Sequence, residues 1–214
     1  MIQKLIEWVI FNGGLYMLLL VVFAETGLFV GFFLPGDSLL FTAGIYLSKL
    51  SDSFYGIHFL IIIFIVTLAS ILGNFVGYWF GAKYGHKLYE RKDSFLFKKR
   101  HLQRAHDFYE KYGNQTVFLA KFLPIVRTFV PIVAGIVGMN KKHFSLNNIL
   151  GSFTWVFSMM LGGKYLEEII KTKYNYDLKD HIEVIAIGII LVTTLPVIYK
   201  IFFSKQKETP TSNK

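Results

Sequence analysis

The 214-residue chain contains no cysteine, which excludes disulfides, thiolate metal sites and thiol nucleophiles. Charged residues make up only 17% of it and there are five prolines, whereas 53% of the residues are hydrophobic and 22 are Phe. This composition is too apolar for a soluble globule of this size, and several runs are long enough to cross a bilayer. The sequence therefore predicts an all-α integral membrane protein.

The positive charge of the chain indicates a membrane rather than nucleic acid. The net charge is +9, but Lys and Arg concentrate in loops beside apolar runs, as membrane topology and anionic lipid headgroups favour. We therefore expect no nucleic-acid partner. His86, His101 and His106 lack the tight spacing of metal ligands, so neither a metal nor another cofactor is predicted.

Six apolar stretches organise the chain. Two of them, 57–82 and 144–163, contain no Asp, Glu, Lys or Arg and predict ordinary spanning helices. The stretch at 184–199 is shorter, and the first, at 5–24, either spans or lies at the interface. Three to four spanning helices are therefore expected.

The other two runs, at about 26–47 and 114–139, are interrupted by helix-breaking residues and carry charges near their middles. Such backbone is tolerated at membrane depth only where protein or a watery cavity surrounds it. We therefore predict two re-entrant helical hairpins. Their predicted breaks are Pro35, Gly36, Pro124 and Pro131.

Loop charges predict the orientation. Segment 83–111 carries nine Lys and Arg against four acids, and the tail from Lys200 carries four Lys against one Glu, whereas 164–183 holds four Lys and five acids. Because positive loops stay in the cytoplasm, we expect 83–111 to be an amphipathic cytoplasmic loop and the C-terminus to be cytoplasmic. This requires the run at 114–139 to enter and return, and the run at 26–47 then dips in from outside.

The two broken runs also share sequence words, because FLP at 33–35 and FLP at 122–124 are each followed by AGI. Together with their opposite orientations, this predicts an inverted repeat whose broken segments meet near the midplane, the plan of many secondary transporters. We assign residues 1–204 to a single membrane domain and 205–214 to a basic cytoplasmic tail.

Four charged side chains lie in or beside the broken runs: Glu25, Asp37, Lys121 and Arg127. A charge at the bilayer centre costs about 2.5 to 3.5 kcal/mol on insertion scales, so unpaired examples are rare. Two acids opposite two bases predict a buried polar site where the hairpins face each other. Two alternatives stay open: the four charges only pair with one another, or Glu25 and Lys121 lie near the interfaces with their heads in water.

These residue types favour an anionic lipid together with a proton. Arg127 offers a fork of donors that matches phosphate oxygens, and Lys121 offers a mobile point charge. Glu25 and Asp37 favour a cation or a transported proton. A proton-coupled carrier of an anion would use both halves, and no residue is expected to be catalytic.

Glycines recur every four residues on one face of the predicted helix at 57–82. Gly73, Gly77 and Gly81 permit close backbone approach, and packing against a hairpin is their predicted role. Asn74, on the same helix, is expected to hydrogen-bond to backbone that a break leaves free.

Three motifs follow one another along the chain: E-T-G … P-G-D-S-L-L at 25–40, G-N-x-x-G-Y-x-x-G at 73–81, and F-L-P-I-V-R-T-F-V-P-I-V-A-G at 122–135, the last followed by M…F…N…G…W. With these motifs the chain resembles the DedA family, also called the SNARE-associated or VTT-domain family, from about residue 15 to 165. The resemblance implies opposed re-entrant hairpins in the bacterial cytoplasmic membrane. It also implies movement of lipids between leaflets, linked to the proton-motive force.

By position, the resemblance places the family's functional acids on Glu25 and Asp37 and its second functional arginine on Arg127. The first arginine falls on Lys121, which keeps the charge but lacks the bidentate fork. The implied function is the return of undecaprenyl phosphate from the outer to the cytoplasmic leaflet. Phosphatidylethanolamine or another phospholipid is the alternative cargo, and the sequence leaves open whether the chain forms a homo-oligomer.

A membrane lipid phosphatase is the rival from another class. Such an enzyme needs a histidine nucleophile in a motif such as P-S-G-H, with a second histidine as base, and neither these words nor the G-x-S-G of serine intramembrane proteases occur. We therefore expect a carrier and not an enzyme.

Overall fold

The computed structural model describes residues 14–28, 36–90 and 113–174, together with Asp107, Glu110 and Gly188. All regular structure in these residues is helical, as the sequence predicted. Several predictions lie outside the described residues. They concern Pro35, the start of the stretch at 5–24, most of 91–112, the stretch at 184–199 apart from Gly188, and the tail at 205–214.

Seven α-helices follow one another in the described residues. They are α1 (Gly14–Gly27), α2 (Gly36–Ile45), α3 (Leu47–Ser53), α4 (Phe59–Glu90), α5 (Thr116–Ala120), α6 (Pro124–Ile136) and α7 (Lys141–Tyr174), with a 3-10 turn at Gly113–Gln115 before α5.

The two long helices, α4 and α7, form the frame and run antiparallel. Phe144 at the start of α7 contacts Phe75 and Tyr78 late in α4, whereas Lys164 late in α7 lies over the ring of Phe59 at the start of α4. Within the described residues, Phe59–Gly85 is the one helical stretch long and apolar enough to cross a membrane.

Both long helices extend beyond the apolar runs that predicted them. α4 continues to Glu90, into the predicted loop at 83–111, because its last turns hold helix formers such as Lys, Leu and Glu and no proline. α7 continues to Tyr174, where Lys164 and Glu168 form an ion pair of 3.2 Å one turn apart.

The run at 114–139 is broken once, not twice. α5 ends at Ala120 and α6 begins at Pro124, a favourable first helical residue because proline has no N–H to leave unpaired there. The prediction that Pro131 breaks the helix is wrong, since α6 passes through it to Ile136. Proline at this position only deprives the Arg127 carbonyl of its usual donor, which a helix packed among other helices tolerates.

The surface of α4 is apolar and its buried face carries polar groups. Thr67, Ser70 and Asn74 are buried. The large exposed side chains of this helix form a stripe: Leu60, Ile61, Phe64, Leu68, Leu72, Val76 and Trp79. In water, a helix would turn its polar face outward and bury its apolar face. Lipid favours the opposite arrangement, because the apolar side chains can face the hydrocarbon while the buried polar groups bond to one another.

Close glycine contacts hold α4 against α1 and α6. A Cβ atom on Gly73 would overlap Thr26 of α1, and one on Gly81 would overlap the carbonyl oxygen of Ile132 in α6. Gly77 differs, because a Cβ there would lie 3.4 Å from its nearest neighbours, an ordinary contact. The predicted ladder therefore contains two obligatory glycines and one replaceable one.

In the part of the chain that the structure describes, two apolar clusters fill the interior, and polar side chains separate them along both long helices. On α4, the polar residues Ser70 and Asn74 lie between Val66 of one cluster and Tyr78 of the other. α7 repeats the pattern, since buried Asn148 and Ser152 follow Phe144 and precede Trp155. The polar layer so formed is where the charged residues meet.

Candidate functional site

Arg127 joins the two acidic residues at the centre of the polar layer. Its Nη2 group donates to Oε1 of Glu25, and its Nη1 group donates to Oδ1 of Asp37. All three residues are buried. Because one guanidinium carries its donors in a fixed fork, a single side chain can hold carboxylates from two different helices.

Local helix structure places these three groups. α1 continues to Gly27, so Glu25 lies in the last turn of a helix and not, as expected, within a broken run. Asp37 is the second residue of α2, where its negative charge complements the helix dipole. Arg127 lies one turn into α6, just after the break before Pro124.

Gly36 leaves space for the carboxylate of Glu25. A Cβ atom on Gly36 would overlap the Glu25 carboxylate, so the first residue of α2 can pack against this acid only without a side chain. Gly36, which the sequence predicted only as a break residue, therefore also leaves space for a buried carboxylate.

Trp155 of α7 contacts three of the four charged residues. Its indole N–H donates to Oδ1 of Asp37 at 2.8 Å. Its ring centroid lies 4.7 Å from Cζ of Arg127 and 5.3 Å from Nζ of Lys121, within range of cation–π attraction.

Lys121 lies in the break between α5 and α6 and is 3% exposed. Its Nζ donates to Ser70 Oγ at 3.1 Å, and to Asn74 Oδ1 at 2.6 Å when the amide oxygen faces the ammonium. An ammonium group can only donate, which selects that amide orientation. Lysine is therefore held by neutral oxygens and by the Trp155 ring.

A polar network continues from Lys121 across α4 and α7. The carboxamides of Asn74 and Asn148 are adjacent, and Asn148 Nδ2 donates to the carbonyl of Ile71 at 3.1 Å. Ser152 Oγ donates to Asn148 Oδ1 at 3.2 Å and lies 3.3 Å from Ser70 Oγ. With its oxygen toward Lys121, the Asn74 amide nitrogen lies 3.1 Å from the carbonyl of Thr26, next to Glu25. Asn74 therefore donates to backbone in the last turn of α1. The prediction was that it would bond to backbone that a helix break leaves free.

Some hydrogen-bonding capacity in the cluster is unused. Among the described residues, the buried side-chain atoms without a hydrogen-bond partner are Glu25 Oε2, Arg127 Nε and Thr42 Oγ1. The first two belong to the ion pair itself. An acceptor and a donor left unpaired in a dry interior are costly, so this pair can gain further bonds when a proton or ligand enters.

The cluster lies midway along the apolar part of α4. At about 1.5 Å per residue, Ser70 is about 16 Å and Trp79 about 30 Å along the helix from Phe59. Lysine–aromatic contacts mark both ends: Lys164 over Phe59 and Lys83 over Trp79. Such pairs are typical of the membrane interface, and the hydrocarbon between two interfaces is about 30 Å thick.

The sequence found the four charges but not their full surroundings. The four charged residues come together as expected: Glu25, Asp37, Lys121 and Arg127. Both acids form their ion pair with Arg127, whereas Lys121 donates to Ser70. Trp155, Ser70 and Ser152 were missed as site residues, whereas Asn148 had been expected, like Asn74, to hydrogen-bond to backbone that a break leaves free. The available signal was a helix of otherwise apolar character with polar residues spaced along one face, S-L-N-N-I-L-G-S-F-T-W.

The arrangement brings a guanidinium fork, an ammonium group and two carboxylates together in one buried layer. In the described residues no group of three or more His, Asp or Glu side chains could hold a metal ion. Two acids occupy the phosphate-compatible fork of Arg127 in this conformation. An anion can take their place only after they lose their charge or move away, because burial of excess negative charge is costly.

Comparison with known proteins identifies relatives along most of the chain. The VTT domain matches residues 34–165. Protein DedA of Escherichia coli K12 is 38% identical over 190 residues, covering 89% of this chain and 83% of that protein. Inner membrane protein YqjA of the same organism is 32% identical over 155 residues, covering 72% and 68%.

A third relative comes from another organism. The uncharacterized membrane protein Rv0364 of Mycobacterium tuberculosis H37Rv is 35% identical over 181 residues, covering 85% of this chain and 75% of its own length. No solved structure matches the chain.

Proposed function

This chain belongs to the DedA family of VTT-domain membrane proteins, and on that premise we propose that it carries a lipid phosphate between the leaflets of the bacterial cytoplasmic membrane. The cargo we propose is undecaprenyl phosphate, returned from the outer to the cytoplasmic leaflet with proton uptake. The names of the relatives support a membrane protein of this family. The choice of cargo rests on the family resemblance.

The observation that carries the proposal is the double ion pair of Arg127 with Glu25 and Asp37. A guanidinium fork is suited to phosphate as well as to carboxylate, so carboxylates and a lipid phosphate compete for the same donors. The described conformation is then the closed, unloaded state of the carrier. Its buried ion pairs lie at the depth that a headgroup has to pass.

Proton binding would convert the closed state into the loaded one. When Glu25 and Asp37 each take up a proton, Arg127 loses both ionic partners and its donors become free for phosphate oxygens. Lys121, held by neutral oxygens and by the Trp155 ring, can add a second positive contact without leaving an acid unpaired. Release of the lipid into the opposite leaflet returns the protons and restores the ion pairs.

We also propose the membrane arrangement that the loop charges predict. The segments around Gly36 and Lys121 belong to two opposed re-entrant hairpins of an inverted repeat, and both the 83–111 segment and the C-terminus are cytoplasmic. The helix–break–helix of α5 and α6 supports this for the second hairpin, because α6 is too short to span the hydrocarbon alone.

Leaflet-resolved transport in liposomes that contain only this protein tests the proposal. We expect undecaprenyl phosphate to change leaflets faster than phosphatidylethanolamine, and faster when the side of loading is acidic. Arg127→Ala should reduce transport at least a hundredfold, whereas Lys83→Ala, which removes an interfacial cation, should not. Equal transport rates for Arg127→Ala and the wild type would contradict the proposal that Arg127 binds the lipid phosphate.

The same liposomes distinguish the rival functions. Faster movement of phosphatidylethanolamine than of undecaprenyl phosphate would make the chain a phospholipid flippase. Release of inorganic phosphate from undecaprenyl phosphate would make it a phosphatase, and we expect none.

A further inference from the structure

Trp155 is the residue where most of the charged cluster converges. It is 1% exposed and lies on α7, a helix that contributes none of the four charged residues. Its N–H donates to Asp37, and its ring lies against Arg127 and Lys121. Neither the sequence motifs nor the ion-pair chemistry assigns a function to it.

The two parts of the indole act on different partners. The N–H is a donor only, so it favours the charged carboxylate of Asp37 and fixes the oxygen that also accepts from Arg127. The face of the ring is electron-rich, so it attracts cations and attracts them more strongly in a dry site. One rigid side chain thereby sets the spacing between an acid and two cations on separate segments.

We propose that Trp155 is the positioning residue of the lipid-phosphate site: its ring holds Lys121 and Arg127 as a pair of phosphate ligands, and its N–H holds Asp37 in the closed state. When Asp37 gives up Arg127, the indole still carries both cations. The headgroup then meets a preformed pair rather than two mobile side chains. The proposal rests on the proposed transport function only for its effect on rates.

Two substitutions separate the N–H from the ring. Trp155→Phe keeps an aromatic face but loses the donor, whereas Trp155→Leu loses both. Trp79→Phe and Trp79→Leu are matched controls, because Trp79 is 55% exposed and also has a lysine, Lys83, over its ring at 4.8 Å. Undecaprenyl phosphate transport is measured against lipid content and pH.

We expect the two variants to fail in different ways. Trp155→Phe should leave the half-saturating lipid content within about twofold but change the pH profile of transport, because Asp37 has lost the indole donor. Trp155→Leu should also raise the half-saturating lipid content about tenfold, through the lost cation–π contacts. Equal loss of rate in both, with an unchanged pH profile, would make Trp155 a space-filling residue and overturn the proposal.

Fluorescence tests the contacts without any transport. In a variant that keeps Trp155 but carries Trp8→Phe and Trp79→Phe, we expect Asp37→Ala, Lys121→Met and Arg127→Met each to change the emission of the remaining tryptophan. The control Asp52→Ala, at an exposed residue of α3, should not. Unchanged emission in all three variants overturns the inference, whether or not the liposomes transport lipid. Changed emission in a protein without lipid transport would reject the proposed function and keep the positioning role.

Discussion

Arg127 and Glu25, 102 positions apart in the chain, form a direct ion pair in the buried centre of the protein. The pair joins α6 to α1, and the second fork of the same guanidinium joins α6 to α2 through Asp37. A carrier in which the competing anions are part of the protein needs no empty cavity at rest. Opening the site and neutralising the acids become a single event.

Removing Arg127 should destabilise the fold most strongly at high pH. Arg127→Ala leaves two buried acids without their cation, a loss of about 3 to 5 kcal/mol in the free energy of unfolding. Protonation removes that charge, so the difference from the wild type should narrow as pH falls from 8 to 5. Thermal unfolding in detergent at a series of pH values measures this difference in stability.

A control for this variant that lacks the two acids combines Arg127→Ala with Glu25→Gln and Asp37→Asn. It leaves no buried carboxylate without its cation, so it should be more stable than Arg127→Ala alone at pH 8. A triple variant as unstable as the single one would show that packing, not charge, carries the effect.

The acids should set how steeply transport depends on pH. In the exchange scheme, acidification on the loading side frees Arg127, so the rate rises as that side becomes more acidic. Glu25→Gln and Asp37→Asn each remove one proton from the cycle, so each should make the dependence of log rate on pH shallower by about one unit. Liposome transport at a series of pH values measures the slope, with Asp52→Asn as control.

Lys121 should tolerate arginine better than a neutral side chain. Lys121→Arg keeps the charge but has to fit a planar head between Ser70, Asn74 and Trp155, so we expect a loss of at most about tenfold in transport. Lys121→Met removes the charge and should lose at least about a hundredfold. Lys164→Met, at the interface, is the control, and equal rates for Lys121→Met and the wild type would exclude Lys121 from the site.

The glycine ladder offers a stability test within one helix. Gly81→Ala places a methyl group on the Ile132 carbonyl and should destabilise the protein by about 1 to 3 kcal/mol. Gly77→Ala makes only ordinary contacts and should lie within about 0.5 kcal/mol of the wild type. Melting temperatures in detergent compare the two, and equal losses would contradict the packing described here.

Much of this fold could be predicted because hydrophobic runs and helix breakers are local signals. The break before Pro124 and the apolar run of α4 both follow from residues close together in the chain. Pro131 shows the limit of such reasoning. Whether a proline breaks a helix depends on its surroundings in the fold, and Pro131 packs against α4 at Gly77.

The site was predictable in its charges and not in its pairing. Four ionisable residues in apolar surroundings had to find partners, so their convergence could be anticipated. Which partner each one takes depends on geometry between helices. Arg127 reaches both acids, and Lys121 is left to Ser70 and Asn74. Trp155 carries no charge, and the polar residues spaced along its helix indicated a buried polar face without assigning a role to the tryptophan.

The four charges of the cluster also cancel, since Glu25 and Asp37 balance Lys121 and Arg127. Moving one elementary charge across a potential of 100 mV corresponds to about 2.3 kcal/mol. An electrically neutral resting site is indifferent to the membrane voltage. A loaded site that gains one proton for each negative charge of the lipid stays neutral as well. Such a carrier would be driven by the pH difference alone, and a membrane with its voltage collapsed but its pH gradient intact would still run it.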